Sequence, residues 1–516
     1  MKKFTFIFPA IIFYIFLVLI NGYLIPPSFG GTDIYYFKDA GINYSEGLGF
    51  VSRFTYGNPT FEYKTYSTYP PFYPLLFGVF VKYFGISPES NQIFNTLISG
   101  ATGLTGFLVL KSNIDYKQKN FHGIFILAIS IIYGFFISDI DRPDSLALCI
   151  SFIALGLLIL KASRLNYFLI GCLSALCIFI SPYTGLWISF AVMVITLIQH
   201  QEDTVVDKHK NLFFMVVFGG VITTLFVLIG LFLYLPEWIS AFKGVLTGSN
   251  TNNETGGGYF LALLNGDFTT WFSGIPIKWT SFYVEFFKLL IVESSLALAV
   301  ILDGYRKTTN FASVGIVALL VFSPLCIIIA PYQVHYITIS SVLLLSCASV
   351  LVYKMPSSSK KKYIYAIFTS FYCLAIINFP WLIRDLGVRI TSNSSMKDAY
   401  HLIEDFKKSI DLDKSIISVS PSSYLLWREA GVHPLLVSFS GFDKASNRVN
   451  LDYVALSFPG SGNTREPQKP IWFDESEYER ISKPIIPRDE ILFGLFNSKS
   501  SQTWENAIYK RRNLVD

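Results

Sequence analysis

The sequence predicts an α-helical polytopic membrane protein of about eleven spans, amino terminus inside and carboxyl terminus outside, that ends in a small α/β soluble domain. Three observations predict it. Only 15% of the 516 residues are charged, against 52% hydrophobic and 17% aromatic, and a mean hydropathy of +0.47 lies outside the range of ordinary soluble domains. The apolar residues fall in runs near the length of a bilayer-spanning helix, roughly 20 residues. The lysines and arginines collect in alternate short loops between those runs, as they do on the cytoplasmic face of membrane proteins.

The first run, Phe4 to Ile25, follows Lys2 and Lys3. It is long enough to span and has no small-residue cleavage site, so it reads as an uncleaved first span and not as a signal peptide. Further spans are predicted at Asn91 to Leu110, Phe121 to Ser138, Pro143 to Leu160, Tyr167 to Ile180, Tyr183 to Ile198, Leu212 to Leu235, Val284 to Leu302, Phe311 to Ile329, Val334 to Val352 and Tyr363 to Leu382. Basic residues mark the inner loops: Lys111, Lys117 and Lys119; Lys161 and Arg164; Lys208 and Lys210; Arg306 and Lys307; Lys354 and Lys360 to Lys362. The alternation requires that the short apolar run Pro71 to Phe84 not cross, which suits a re-entrant or interfacial helix.

This topology sets the polar material on the outer side: a first loop at 27–70, the "DIDRPD" turn, a long loop from Pro236 to Phe268, the "APYQVHY" turn and the tail. The domain prediction is a membrane domain over 1–383 and an extracytoplasmic α/β domain over 384–516. Within the tail, "MKDAYHLIEDFKKSI" has the period of an amphipathic helix, "SIISVS" of a strand, "SSYLLWREAG" of a helix stopped at Gly431, and "PLLVSF", "LDYVALSF" and "ENAIYKRR" of strands. All six cysteines (Cys149, Cys172, Cys177, Cys326, Cys347 and Cys373) lie in apolar runs, where they act as small hydrophobes and suggest neither disulfides nor a zinc site. With the net charge of +5 spread over loops, nucleic acid is not an expected partner; the lipid bilayer is.

Four outer segments carry candidate chemistry. Asp33 opens "DIYYFKDAGINYSEGL", in which Ile34, Phe37, Gly41, Tyr44 and Leu48 recur at helical spacing while Lys38, Asp39, Asn43 and Glu46 fall on other faces; this reads as an interfacial helix. Asp33 then serves as a helix cap or as a reactive carboxylate, two roles that do not exclude each other. In "DRPDSLAL", Pro143 and Asp144 start a helix, and Arg142 sets a fixed cation beside its exposed amides, an arrangement that suits an anion. "TYPPFYPLLFGVFVKYFG" leads a short helix with prolines and interfacial aromatics, and "PYQVHY" brings Gln333 and His335 to the start of a span. Glu293 is the clearest ionisable residue inside a span and reads as a carboxylate near a helix end or facing water.

The order of these elements resembles the GT-C superfamily of glycosyltransferases, in the branch that contains protein O-mannosyltransferases and lipid A aminoarabinose transferases: a first span, an acidic first outer loop, "YPPFYPLLFGVFVKYFG", "DRPDSLAL" opening a span, and a soluble tail. The resemblance implies transfer of a sugar from a polyprenyl-phosphate donor to a glycan, lipid or protein acceptor on the outer face, with inversion. It assigns the catalytic base to Asp33. Relatives often carry a second acid beside the first, where this chain has Ile34; Asp39, Asp141 and Asp144 are the candidate substitutes, as second acid or as ligands of a divalent metal. The chemistry matches the residues: Asp33 takes the acceptor proton, Arg142 with His335 and Gln333 holds the departing lipid phosphate, and Tyr35, Tyr69 and Tyr332 line the substrate groove. No metal or other cofactor is required by the sequence. The rival readings are a polyprenyl-linked glycan flippase or transporter and an O-antigen-type ligase. Asn43, Asn253 and Asn393 begin N-x-S/T triplets that do not decide the compartment; the lack of long loops or a retention signal favours a bacterial inner membrane, with the site facing the periplasm.

Overall fold

A computed structural model of the chain describes residues 33–53, 63–66, 69–111, 141–160, 163–202, 206–239, 280–304, 311–329, 334–353, 357–408, 417–419, 423–436, 451–459, 473–482 and 502–512, with the isolated positions 11–12, 14–15, 19–20, 266–267, 269 and 355. The span predicted at Phe121 to Ser138 and most of the one at Phe4 to Ile25 lie outside these residues.

The first loop contains two short helices, α1 (Asp33–Phe37) and α2 (Asp39–Ser45), with Lys38 in a turn between them at φ −124° and ψ −27°. The helical hydrogen bonding nearly continues across the turn, Lys38 N to Ile34 O at 2.8 Å and Ile42 N to Lys38 O at 3.0 Å. Ile34, Phe37 and Gly41 of the predicted apolar face are buried, but the other positions depart from a simple two-faced interfacial helix. Lys38, Asp39 and Asn43 are buried, whereas Tyr44 is 49% and Leu48 47% exposed. Charged groups at a membrane boundary turn toward partners in the protein, and apolar ones tolerate the lipid side; here later segments supply those partners. Strands β1 (Val51–Ser52) and β2 (Lys64–Thr65) pair antiparallel beyond α2.

Helix α3 (Phe72–Phe84) begins after Pro71 and ends at Gly85, whose φ of +82° stops it. Its apolar stretch is the predicted short helix. It crosses α2 at two glycines: a Cβ on Gly41 would lie 1.9 Å from Pro74 O, and one on Gly78 would lie 2.4 Å from Gly41 O.

The remaining apolar helices follow the predicted runs: α4 (Pro88–Lys111), α5 (Asp144–Ile159), α6 (Arg164–Ile178), α7 (Pro182–Glu202), α8 (Val206–Tyr234), α9 (Thr280–Gly304), α10 (Phe311–Ile329), α11 (Val334–Tyr353) and α12 (Ser357–Lys408). Among the described residues, the helical segments Pro88–Leu110, Asn211–Tyr234, Tyr336–Tyr353 and Lys360–Pro380 are long and apolar enough to cross a membrane, and α3, α5 and α6 are apolar but shorter. The chain is an integral membrane protein. α11 occupies the middle of the bundle, where Ser340, Ser341, Ser346, Cys347, Ala348 and Ser349 are buried and their small side chains let neighbouring helices approach. α8 is peripheral, with Phe218, Leu225, Phe226 and Phe232 exposed. It meets α6 backbone to backbone, a Cβ on Gly171 lying 1.9 Å from Val216 O. Glu293 stands in the middle of α9, away from its ends, with Oε1 buried.

α12 has 52 residues and is about 78 Å long at 1.5 Å per residue. It joins the last predicted span and the first amphipathic helix of the tail, so the boundary predicted at 383/384 falls inside one continuous helix. A five-stranded mixed sheet follows, in the order β4-β3-β5-β7-β6, from β3 (Ile417–Val419), β4 (Leu435–Leu436), β5 (Tyr453–Pro459), β6 (Tyr478–Arg480) and β7 (Gln502–Arg511). β3 pairs parallel with β4 and β5; β7 pairs antiparallel with β5 and β6. Helix α13 (Tyr424–Glu429) is followed by Gly431 at φ +79°, the predicted stop. One apolar cluster contains Ile34, Phe37 and Ile42 of the first loop, Phe77 and Phe94, and Ile403, Phe406, Trp427 and Tyr453 of the tail. First loop and tail therefore share a core.

Candidate active site

Three consecutive residues of the first loop, Phe37, Lys38 and Asp39, each reach a charged partner from a distant segment. The Lys38 ammonium is fully buried. It donates to Asp141 Oδ1 at 2.7 Å, Asn95 Oδ1 at 2.7 Å and Asn91 Oδ1 at 2.5 Å, three acceptors for its three N–H bonds. The amides of Asn91 and Asn95 donate in turn to the same Asp141 oxygen, at 3.1 and 2.5 Å. The rings of Phe77 and Phe94 lie 4.8 and 5.3 Å from Nζ, within cation–π range. Asn91 and Asn95, one turn apart at the polar start of α4, present both groups from one helix face.

Asp39 is held from the tail. The Tyr424 hydroxyl donates to its Oδ1, Arg428 Nη1 lies 3.6 Å from the same oxygen, and Asn43 Nδ2 and Ser52 Oγ donate to Oδ2 at 3.0 and 2.6 Å. Arg428 also donates to Asn43 Oδ1 at 2.9 Å and Glu46 Oε2 at 2.5 Å. His433 borders this group, its Nδ1 3.0 Å from the Tyr63 hydroxyl and its Nε2 3.9 Å from Glu46. Burial raises the Glu46 carboxyl against the opposing pull of Arg428. Burial, then Arg428 and Arg53, lower His433 to about 4.

Arg142 forms the third piece. It is 6% exposed, its Nε donates to Asp144 Oδ2 at 3.1 Å, and its guanidinium carbon lies 4.8 Å from the Phe37 ring centre and 5.8 Å from that of Tyr336. Asp144 opens α5 and accepts from Ser181 Oγ and, at 3.3 Å, from Thr184 Oγ1, where α7 begins. The Tyr69 and Tyr336 hydroxyls are 2.9 Å apart, Tyr69 meets Phe37 edge-on at 4.9 Å, and Tyr183 stacks on Tyr336 at 3.9 Å. Burial pushes the Tyr69 hydroxyl well up, and the nearby Asp144 charge adds to it, so it remains a neutral donor.

The predicted residues divide as follows. Asp33 is the first residue of α1, one turn before Phe37. The side chains of Asp33, Tyr35 and His335, and all of Gln333 and Tyr332, lie outside the described residues. Arg142 and Tyr69 come together across the Phe37 ring. The carboxylates of Asp39, Asp141 and Asp144 do not fit a metal: each faces its own cation, Arg428, Lys38 and Arg142 respectively. Among the described residues no group of three or more His, Cys, Asp or Glu side chains is placed to hold a metal ion. Asn43, the first residue of an N-x-S/T triplet, is buried in the Asp39 cluster. Sequence reasoning missed Lys38, Asn91, Asn95, Tyr183, Tyr336, Tyr424 and Arg428. Two asparagines one turn apart at the start of an apolar span were the available signal for the Lys38 pocket; no local pattern joins Arg428 to Asp39, 389 residues apart in the chain.

Fold and site together define an integral membrane protein whose first-loop helices are clamped between the membrane bundle and a mixed-sheet tail around a buried cationic and aromatic cluster. No family model matches the chain, and no curated protein matches it. Among solved structures it is similar to ArnT from Cupriavidus metallidurans bound to undecaprenyl phosphate, with 12% identity, coverage of 97% of both chains and a TM-score of 0.47. It is also similar to the oligosaccharyltransferase of Archaeoglobus fulgidus in complex with Zn and sulfate, with 11% identity, coverage of 86% of this chain and 67% of that one, and a TM-score of 0.43.

Proposed function

We propose that the protein is a membrane glycosyltransferase that moves a sugar, hexosyl or pentosyl, from a polyprenyl-phosphate donor to a glycan, lipid or protein acceptor on the periplasmic face of a bacterial inner membrane. The observation that carries this reading is the seating of Arg142 on Phe37 at 4.8 Å. Phe37 lies one helical turn from Asp33, so the backbone position of Asp33 is about 6 Å from that of Phe37 at 1.5 Å per residue. This proximity of backbone supports the reading of a fixed cation and the acid of the first loop as one site.

In the proposed reaction the acceptor hydroxyl attacks the anomeric carbon as the bond to the lipid phosphate breaks. The oxygen of the leaving phosphate takes the bonding pair, Asp33 takes the acceptor proton, and one displacement inverts the anomeric centre. Arg142, with His335 and Gln333, stabilises the charge gathering on the phosphate. Tyr35, Tyr69 and Tyr332 line the sugar groove. No step passes through a metal.

The test is incubation of purified protein with defined polyprenyl-phosphate sugars and acceptors, with mass spectrometry of the products. Transfer is expected, and Asp33→Asn should lower it by about two to four orders of magnitude in a protein that stays folded and inserted. Full activity in Asp33→Asn removes the base assignment. Translocation of the lipid without a new glycosidic bond replaces the transferase with a flippase.

A further inference from the structure

Phe37, Lys38 and Asp39 leave no spacer between three anchors. Phe37 carries Arg142, Lys38 holds Asp141, and Asp39 is held by Arg428 and Tyr424. Neighbours in one strand of sequence thus meet neighbours in another, 37 with 142 and 38 with 141, while the next residue belongs to the tail. All three contacts straddle the turn between α1 and α2. We propose that this turn is the joint through which the tail sets the donor site, with Arg428 and Lys38 as its positioning residues. The inference rests on the reading of Asp33 and Arg142 given above.

The physical case has three parts. Both ion pairs are buried, with side chains at most 6% exposed, so salt screens them little, and opening either leaves a charge uncompensated in the interior. Arg428 grips α2 at Asn43 and Glu46 as well as at Asp39, so displacement of α13 moves the whole helix and, through the turn, α1. The tail's Trp427 and Phe406 sit in the same apolar cluster as Ile34 and Phe37, so the packing of α13 is continuous with that of α1. Neither Arg428 nor Lys38 touches donor or acceptor in this scheme; they act through Arg142 and the helix that bears Asp33.

The experiment uses the full chain in lipid nanodiscs and compares wild type with Arg428→Met, Arg428→Lys and Tyr424→Phe. Two quantities are read: kcat and KM for transfer, and backbone hydrogen exchange over 33–45, 141–147 and the strands of the sheet. Arg428→Met is expected to lower kcat about tenfold or more with acceptor KM within about twofold, and to speed exchange in both 33–45 and 141–147 while β5 and β7 stay protected. Arg428→Lys, which keeps the charge beside Asp39, should recover part of both. Should Arg428→Met fail to fold, Tyr424→Phe removes a single donor to Asp39 and is expected to give the same pattern at smaller amplitude. Faster exchange confined to 423–436, or an unchanged kcat in a folded Arg428→Met, overturns the joint. A wild-type protein that transfers no sugar, yet relays the exchange change from 428 to 141–147, loses the transferase reading and keeps the joint.

Discussion

The ammonium of Lys38 and the carboxylate of Asp141 stand 2.7 Å apart with neither group open to water. A charge in such a place is tolerated because the three ammonium protons meet three acceptors. Removing one partner is therefore worse than removing both. Lys38→Met should destabilise the protein by about 3–5 kcal/mol, since it strands the Asp141 charge, and the double variant Lys38→Met with Asp141→Leu should regain part of the loss. Unfolding midpoints in a single detergent measure this. A double variant less stable than Lys38→Met would mean that the pair itself supplies the stability.

The crossing of α2 over α3 is set by backbone contact at Gly41. A methyl group there would lie 1.9 Å from Pro74 O and 2.8 Å from its carbon, both backbone atoms with little room to move. Gly41→Ala should cost about 1–3 kcal/mol by overpacking and displace the helix that follows Asp33, lowering transfer as well. Gly47→Ala meets no atom within 4 Å, and only its φ of +84° opposes the change; its cost should be about 1–2 kcal/mol with transfer retained. Melting curves and product assays on the two variants separate crossing from turn. Equal losses of activity would show that the close approach at Gly41 has no special part.

Most of the bundle was legible in the sequence because a span is a local object: its length and apolarity are set by the bilayer, and α10 begins and ends where its apolar run does. The site was legible only as far as it is local. Asp144 and Arg142 could be placed at a helix start from "DRPD", but the burial of Lys38, Asp39 and Asn43 alongside the apolar Ile34 and Phe37 could not. Periodicity marks the apolar face and does not say whether a polar face is also covered, and at a lipid boundary the usual rule that polar means exposed fails for Lys38, Asp39 and Asn43. Tyr424 and Arg428 were beyond reach for another reason: their role is defined by a contact 385 residues away. The boundary at 383/384 came from a change in composition, whereas α12 keeps its hydrogen bonding through that change.

Arg142 lies against the Phe37 ring and is tied to Asp144 through Nε, a geometry that needs a planar, forked cation. Lysine offers the charge without the plane or the second donor direction. Arg142→Lys should raise the dissociation constant of a polyprenyl-phosphate about tenfold, near 1.4 kcal/mol, and Arg142→Ala should raise it further. Tyr69→Phe removes the 2.9 Å hydroxyl contact with Tyr336 and keeps the ring, so a smaller loss is expected. Binding of the phosphate lipid alone, read by tryptophan fluorescence, tests the series without relying on turnover. An Arg142→Lys protein that binds as tightly as wild type would take Arg142 out of the donor site.

His433 and Glu46 give the contact between first loop and tail a dependence on pH whose sign can be worked out. His433 is lowered from 6.5 to about 4, so in that window the unfolded chain binds a proton that the folded one refuses. Its contribution is present above about pH 6.5 and is lost as pH falls toward about 4. Glu46 is raised from 4.5, so its contribution runs the other way: it is present below about pH 4.5 and is lost as pH rises through the folded value. The two oppose each other, and with 36% of the His433 side chain exposed, solvent screening reduces its share further. His433→Gln keeps a partner for the Tyr63 hydroxyl and removes the histidine's share. The melting temperature of wild type should therefore fall more between about pH 7.5 and about pH 5 than that of His433→Gln. Parallel falls in the two proteins would assign the acid sensitivity of this contact to other groups.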